Sequence, residues 1–435
     1  MSEPTLTKPT QQRQWFQFSL RTLLLMMLVF GCGLGWFMAK RRQAQQAWKR
    51  IEEAEKLDID LIAVDDNRAM GGIHHEGTWL EEWLGIALPS PLGSAVVKTS
   101  RNLTPELQEL AKFPELTYLW LEVENLTDEQ LAPFAGEKRP TTLQIGWSPL
   151  RGTGLAYLAG NDSLEDLRLL HCEYLTDEAI YSIPKLPSLT QLTIENCPLT
   201  GVSLGHLATA CPNLKTLVLA DAPLNMEGLQ EIGTLHSLKS LTINHIEIDN
   251  IGLSYLNDLV HLRELYCHPA EFSDVGLEHL SKHPLLENLR LSEMPITDAG
   301  MAHLSSLLEL RKVDLEQTDI GDRGLQHIQS QKLESLRLNF TFITDASATQ
   351  LTRFPRLQVL ELSGTKITDA CVPELAKLPQ LEILTLDKTA ITEDALSHLS
   401  HSKTLKALTL PKMLKGTPGA NTLQLNNPGL EVRFL

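Results

Sequence analysis

No G-x-S-x-G, no P-loop and no H-E-x-x-H occurs anywhere in this sequence. Those are spacings by which a chain holds a nucleophile, a phosphate or a catalytic metal beside an oriented partner, so nothing here marks an enzyme. His74-His75-Glu76 comes nearest to a metal motif, but adjacent histidines point apart and the downstream ligand position is Trp79. Cysteine is scarce: six residues, with no C-x-x-C, which indicates neither a zinc site nor a redox pair and leaves buried free thiols as the reading. Aromatic residues make up 6% of the chain, and leucine fills the core in their place. Basic charge is also short. Residues 1–50 hold eight Lys/Arg and one acid, and the rest holds 30 basic against 53 acidic residues, a balance of −23. Such a surface repels phosphate backbones, and nucleic acid is excluded as a partner.

What the chain has in abundance is a repeated line. Residues 357–380, LQVLELSGTKITDACVPELAKLPQ, place apolar residues at Leu357, Leu360, Leu362, Ile367, Val372, Leu375 and Leu378. The pattern L-x-x-L-x-L returns at Leu116, Pro140, Leu164, Leu189, Leu214, Leu238, Leu262, Leu286, Leu310, Leu333, Leu357, Leu381 and Leu405, a period close to 24 residues. Only Pro140 breaks the leucine rule, and Leu143 and Ile145 keep the phase there. Within each unit LQVLEL alternates, as a strand with one buried face must, and the following segment switches to helical spacing. Thr368-Asp369 between them offers an N-cap hydroxyl and a first-turn carboxylate, and Thr127-Asp128, Thr176-Asp177, Thr297-Asp298 and Thr344-Asp345 repeat it.

These residues resemble the leucine-rich repeat family, whose signature is L-x-x-L-x-L-x-x-N/C-x-L. The N/C position carries Cys172 and Cys197, then Thr318, Thr341, Thr365 and Thr389. CPNLKTLVLADAPLN (211–225) looks like the cysteine-containing repeats of F-box substrate receptors, and the later LSGTKITDA units look more like bacterial, membrane-anchored repeat proteins. The resemblance covers roughly 92–435 and implies an α/β solenoid: a horseshoe with parallel strands on its concave face and short helices on its convex face. It implies no activity, because such folds host many.

The N-terminus adds an expected transmembrane helix. Thr22–Ala39 is 18 residues without a charge, roughly 27 Å as a helix, bracketed by Arg21 and by Lys40-Arg41-Arg42. Trp15 and Trp36 lie near its ends, as interfacial aromatics do. The surplus of basic residues after the span leans toward a cytoplasmic repeat domain. Gly31 and Gly35 form a G-x-x-x-G that would let two spans approach, giving a weak homodimer. The expected organisation is a tail (1–21), a transmembrane helix (22–39), a juxtamembrane helix and N-terminal cap (40–115), the repeat array (116–410) and a C-terminal cap (411–435).

With the first, fourth and sixth positions inward, the fifth and seventh and the turn residue after them face the concave side. Two candidate protein-binding patches follow on this phase. One gathers Trp120, Trp147 and Arg168; the other runs through Tyr266, His268, Arg290, Asp314, Arg337 and Phe340. Exposed Trp, Tyr and Arg dominate many interfaces because they bury much area at modest entropy cost. The expected function is a membrane-tethered, non-enzymatic protein-recognition scaffold without cofactor or metal. Alternatives are an F-box-like substrate receptor of a ubiquitin-type ligase and a structural cell-envelope protein. A column of helix histidines (His206, His279, His303, His327, His398) reads as a partly solvated face rather than a metal site.

Overall fold

The structure, a computed structural model, describes residues 94–99, 107–108, 111, 116–136, 140–244, 248–268, 271–400 and 402–435. The chain divides into two compact units, Met1–Gly93 and Ser94–Leu435, and the second is the one described here. The membrane-spanning segment 22–39 with Gly31 and Gly35, the juxtamembrane helix, His74–Glu76 and the capping motif at Thr78 lie outside the described residues. Among the described residues no helix is long and apolar enough to cross a membrane.

Fifteen strands form a single parallel sheet whose spatial order is the chain order. They are β1 (Ser94–Thr99), β2 (Tyr118–Val123), β3 (Thr142–Gly146), β4 (Asp166–Leu170), β5 (Gln191–Glu195), β6 (Thr216–Ala220), β7 (Ser240–Asn244), β8 (Glu264–His268), β9 (Asn288–Arg290), β10 (Lys312–Asp314), β11 (Ser335–Arg337), β12 (Val359–Glu361), β13 (Ile383–Thr385), β14 (Ala407–Leu410) and β15 (Glu431–Phe434). The register joins equivalent positions of successive repeats: Leu119, Leu143, Leu167 and Leu192 pair in turn, as do Val313, Leu336, Leu360 and Leu384. All eight are buried. One strand precedes the legible pattern, because β1 pairs Val97 with Leu121 inside the stretch assigned to the cap.

Short helices or helical turns follow the strands and bury their apolar side, for example Leu396 and Leu399 in Glu393–Leu399. The threonine before each helix does cap it in places: Thr297, Thr344 and Thr392 accept from the second helical amide. The aspartate that follows does something the cap reading did not anticipate. Its carboxylate reaches into the next repeat, where Asp345 accepts from the Thr368 amide (2.8 Å) and hydroxyl (2.7 Å). Asp274, Asp322 and Asp369 repeat this on Thr297, Thr344 and Thr392. Asp128 uses the amides of Arg151, Gly152 and Gly154 instead. Gly152 has φ +97 and lies against Ala179, so this rung requires glycine. Each carboxylate thus ties neighbours together while satisfying donors at a helix start.

The turns after nine of the strands, β3 to β6 and β9 to β13, use one conformation. Trp147, His171, Asn196, Asp221, Glu293, Gln317, Phe340 and Lys388 all have φ between 48° and 64°, and Gly364 has φ 69°. These are the eighth positions of their repeats. A left-handed non-glycine residue costs roughly 1 kcal/mol, here repeated along the array. Position nine is enclosed: Cys172, Cys197, Thr318, Thr341 and Thr365 are buried. Cys172, Cys197, Cys211, Cys267 and Cys371 are all free and buried. Burial pushes the thiols of Cys211, Cys267 and Cys371 up to about 12.

Candidate protein-binding face

The fifth positions form one column across the open face of the sheet. Hydrogen-bonded register sets Trp120, Gln144, Arg168, Thr193, Val218, Thr242, Tyr266, Arg290, Asp314, Arg337, Glu361 and Thr385 beside one another in that order. Their side chains point away from the buried leucines because strand side chains alternate. The parallel strands keep each neighbour one strand spacing away, about 4.8 Å.

At the N-terminal end the sequence-marked residues fall into three settings. Trp120 is half-buried, with its indole nitrogen near Gly146 of the next strand. Arg168 donates from Nε and Nη2 to Asp166 Oδ2 at 3.0 and 2.8 Å. Trp147 sits at the turn rather than in the column, is 49% exposed, and stacks on His171 with ring centroids 4.4 Å apart and planes 13° from parallel. Asn196 Nδ2 donates to His171 Nδ1 at 2.8 Å and fixes that ring. Three successive left-handed residues therefore build a preformed aromatic lip.

The central patch is a closed chain of charges. Arg290 donates from Nη1 to the Tyr266 hydroxyl (2.7 Å) and from Nε to Ser292 Oγ (2.8 Å), and its guanidinium lies over the Tyr266 ring. Asp314, which is buried, sits 3.3 Å from Arg290 Nε and 3.7 Å from Arg337 Nη1. Arg337 Nε reaches Glu361 at 3.1 Å. Asn339 donates to Glu361 at 2.8 Å and to Glu316 at 3.4 Å, and it accepts from the Ser363 amide. His268 ends β8, in register with Asn244. Phe340 stands outside the chain at the turn, 44% exposed. The arginine ends of these pairs remain open to solvent, so the pairs orient the side chains more than they stabilise the fold.

Two groups of residues are not among the candidate site residues, although the sequence reading puts the seventh positions on this face. The seventh-position column (Ser292, Glu316, Asn339, Ser363, Asp387) knits the central patch, with Ser363 donating to Asp387. Phe342, Lys366 and Lys388 flank Phe340. The same repeat phase contained the first group; the second follows only from the left-handed turn. The helix histidines stand apart from this face, and His206 donates from Nε2 to the Ile183 carbonyl at 3.0 Å. Among the described residues no three His, Cys, Asp or Glu side chains are grouped to hold a metal ion.

A sheet laid down strictly in chain order, at one strand per repeat, is an architecture that known proteins share. The Leptospira interrogans LRR protein LIC12759 matches with a TM-score of 0.52 at 19% identity, over 75% of this chain and 80% of that one. The fold is a leucine-rich repeat solenoid. An internalin from Listeria monocytogenes matches 72% of the chain and 86% of its own, with a TM-score of 0.47 at 18% identity. Residues 342–434 of the solenoid match the family described as FBD-associated F-box protein At5g56370, LRR repeats. An Arabidopsis thaliana protein named as F-box/LRR-repeat protein 23 is 39% identical over 71 residues. That stretch is 16% of this chain and 16% of the relative, so the solenoid matches only a small part of the curated relative's length.

Proposed function

We propose that the chain is a membrane-tethered, non-enzymatic scaffold that takes a protein partner on the concave face of its repeat array. The observation that carries this reading is the fifth-position column, a continuous line of side chains on the open face of the sheet, mostly half-buried with Gln144 and Asp314 buried, that has aromatic and arginine residues at two places along it. A rigid strand platform presents them with little entropy left to lose on binding. The apolar run 22–39 between Arg21 and Lys40-Arg41-Arg42 supports the tether, and the basic surplus after it supports a cytoplasmic array. Weak pairing of two chains through Gly31 and Gly35 belongs to the same proposal.

The test begins with proximity labelling and pull-down of the full chain. For a partner so found, Trp120→Ala, Arg290→Ala and Arg337→Ala are each measured for affinity and melting temperature. At least one is expected to weaken binding by over about 1 kcal/mol with the melting temperature unchanged. Normal binding by all three, with binding abolished by changes on the helical side, would overturn the reading.

A second reading, a substrate receptor of a ubiquitin-type ligase, is favoured by the likeness of the C-terminal repeats to F-box proteins. It requires residues 40–91 to recruit a ligase adaptor. Recovery of such an adaptor with the full chain, lost when 40–91 is deleted, would favour it over the tethered scaffold.

A further inference from the structure

Downstream of the central patch the acidic character of the chain is interrupted. The whole chain carries a net charge of −16, yet residues 357–435 hold eight basic and eight acidic residues. Most of those acids are occupied. Glu361 faces Arg337, Glu374 faces Lys377, Glu382 faces Lys406 and Glu431 faces Arg433. Asp369 is taken by Thr392, and Asp387 accepts from Ser363. Among the described residues five lysines of this segment pair with no carboxylate, Lys366, Lys388, Lys403, Lys412 and Lys415, and three of them follow the strands: Lys366 and Lys388 after β12 and β13, and Lys412 at the start of the helical turn Lys412–Leu414 after β14.

Aromatic rings lie under two of these lysines. Phe340 is held in the left-handed turn (φ 56°) and its ring crosses the next repeat at Gly364, where an added Cβ would come within 2.5 Å of it. Beyond Gly364 the ring meets Lys388, whose Nζ is 5.0 Å from its centroid. Two residues along, Phe342 is 50% exposed and carries Lys366 Nζ at 4.9 Å. Lys412 continues the row, since it follows Thr409 as Lys388 follows the paired Thr385. A glycine, a left-handed phenylalanine and two cation–π pairs thus fix rings and ammonium groups in one strip at the carboxyl ends of the strands. A cation on a ring is partly desolvated while keeping donors free, so it suits a carboxylate arriving beside an apolar side chain.

We propose that this strip is a docking site for an acidic peptide segment of a partner protein, one that alternates carboxylates with aromatic or large aliphatic side chains. The carboxylates meet Lys366, Lys388 and Lys412, and the apolar side chains cover Phe340 and Phe342. The site is separate from the fifth-position column and does not depend on it.

The test uses fluorescence anisotropy of the full chain with three labelled probes: a Glu/Tyr copolymer, poly-Glu of equal length and a Lys/Tyr copolymer. The Glu/Tyr copolymer should bind at least tenfold more tightly than either other probe and weaken with added salt. Lys366→Glu with Lys388→Glu should reduce its affinity at least tenfold, and Phe340→Ser about fivefold, with melting temperatures unchanged. Lys403→Glu, away from the strip, should leave it intact. Equal binding of poly-Glu, equal loss from Lys403→Glu, or no binding of the Glu/Tyr copolymer would each overturn the proposal. So would preferential binding to vesicles of phosphatidylserine in phosphatidylcholine that the strip reversals abolish.

Discussion

The repeats before residue 270 and those after it solve one problem in two ways. In the earlier group β3 to β8 are five residues long, whereas β9 to β13 are three. From β10 to β13 the difference accompanies a threonine at position nine. In the later repeats Thr318, Thr341, Thr365 and Thr389 donate their hydroxyls to the carbonyls of Leu315, Leu338, Leu362 and Leu386, three residues back, at 2.5–2.7 Å. That bond turns the chain out of the strand early, and a second column of parallel bridges appears beyond it, at Thr297–Asp319, Gly321–Phe342, Thr344–Lys366 and Thr368–Ala390. In the earlier repeats Cys172 and Cys197 stand at the same place. Their sulfurs reach the carbonyls of Leu170 and Glu195, only two residues back, at 3.5 and 3.4 Å. A thiol is a weak donor, so the strand runs on. In β10 to β13 the position-nine hydroxyl therefore accompanies the early exit from the strand, while β9 ends equally early with Met294 at that position and β6 runs on with Ala222.

The largest effect expected is common to both groups. Leu192→Asp and Leu360→Asp each bury an unpaired charge between stacked repeats and should cost several kcal/mol in urea unfolding. Near-wild-type stability of either would break the claim that the two groups share one phase.

The comparison itself is sharpened at position nine. Thr365→Val removes the stronger of two donors to the Leu362 carbonyl, leaving the Thr365 amide at 3.3 Å, and should destabilise by about 1 kcal/mol. Cys197→Thr should change stability by less than about 1 kcal/mol, because its hydroxyl gains the same bond to Ile194. If Thr365→Val is neutral by the same measurement, the hydroxyl is not what closes the short strands.

The inward face was legible because nearly every inward position is leucine, so phase could be read without a single contact. β1 was not, since Ala95 and Val97 imitate an ordinary loop-edge sequence. The aspartate rungs hid behind a correct reading: Thr-Asp does suit a helix start, and the second partner lies 23 residues away. The site residues were placed in their columns by the same phase. What phase could not give was their pairing. Arg290 and Arg337 read as free anchors, yet Asp314 and Glu361 hold them. The left-handed turns were invisible because tryptophan and phenylalanine occupy positions where glycine would have announced them.

Acid should weaken the array through two groups, one on each side of the divide. Burial raises the Asp177 carboxyl, but hydrogen bonds from Thr200, Ser203 and Gly201 outweigh it and hold it below the usual carboxylate range. Its contribution is full above the unfolded value and is lost as pH falls through the folded one. His283 is buried, and that burial lowers its pKa against the bond to the Leu259 carbonyl. The unfolded chain takes up this proton first as pH drops below about 6.5, so stability falls there too. Melting temperature should decline from pH 7 to 5, and His283→Gln should flatten that segment of the curve.

The smallest expected effect is a rate. A hydrogen bond from Cys197 draws the Cys172 thiol down to about 7, while that bond and burial push Cys197 up. Both sulfurs are enclosed, so access rather than acidity governs their chemistry. Native protein should resist alkylation at both and react after unfolding. Rapid labelling of the folded chain would show that the cysteine turns open where the threonine turns hold.

Because the register joins each residue to its counterpart one repeat away, the sheet acts as a ruler with fixed graduations. The aromatic lip at Trp147 and the lysine strip at Lys388 stand ten strands apart, from β3 to β13. Duplicating one 24-residue unit between them would lengthen that interval by a single strand spacing, about 4.8 Å, and leave both ends chemically intact. Deleting a unit would shorten it by the same step. The span between two binding elements can thus be inherited as an integer, and a partner gripping both would register the gain or loss of a single copy.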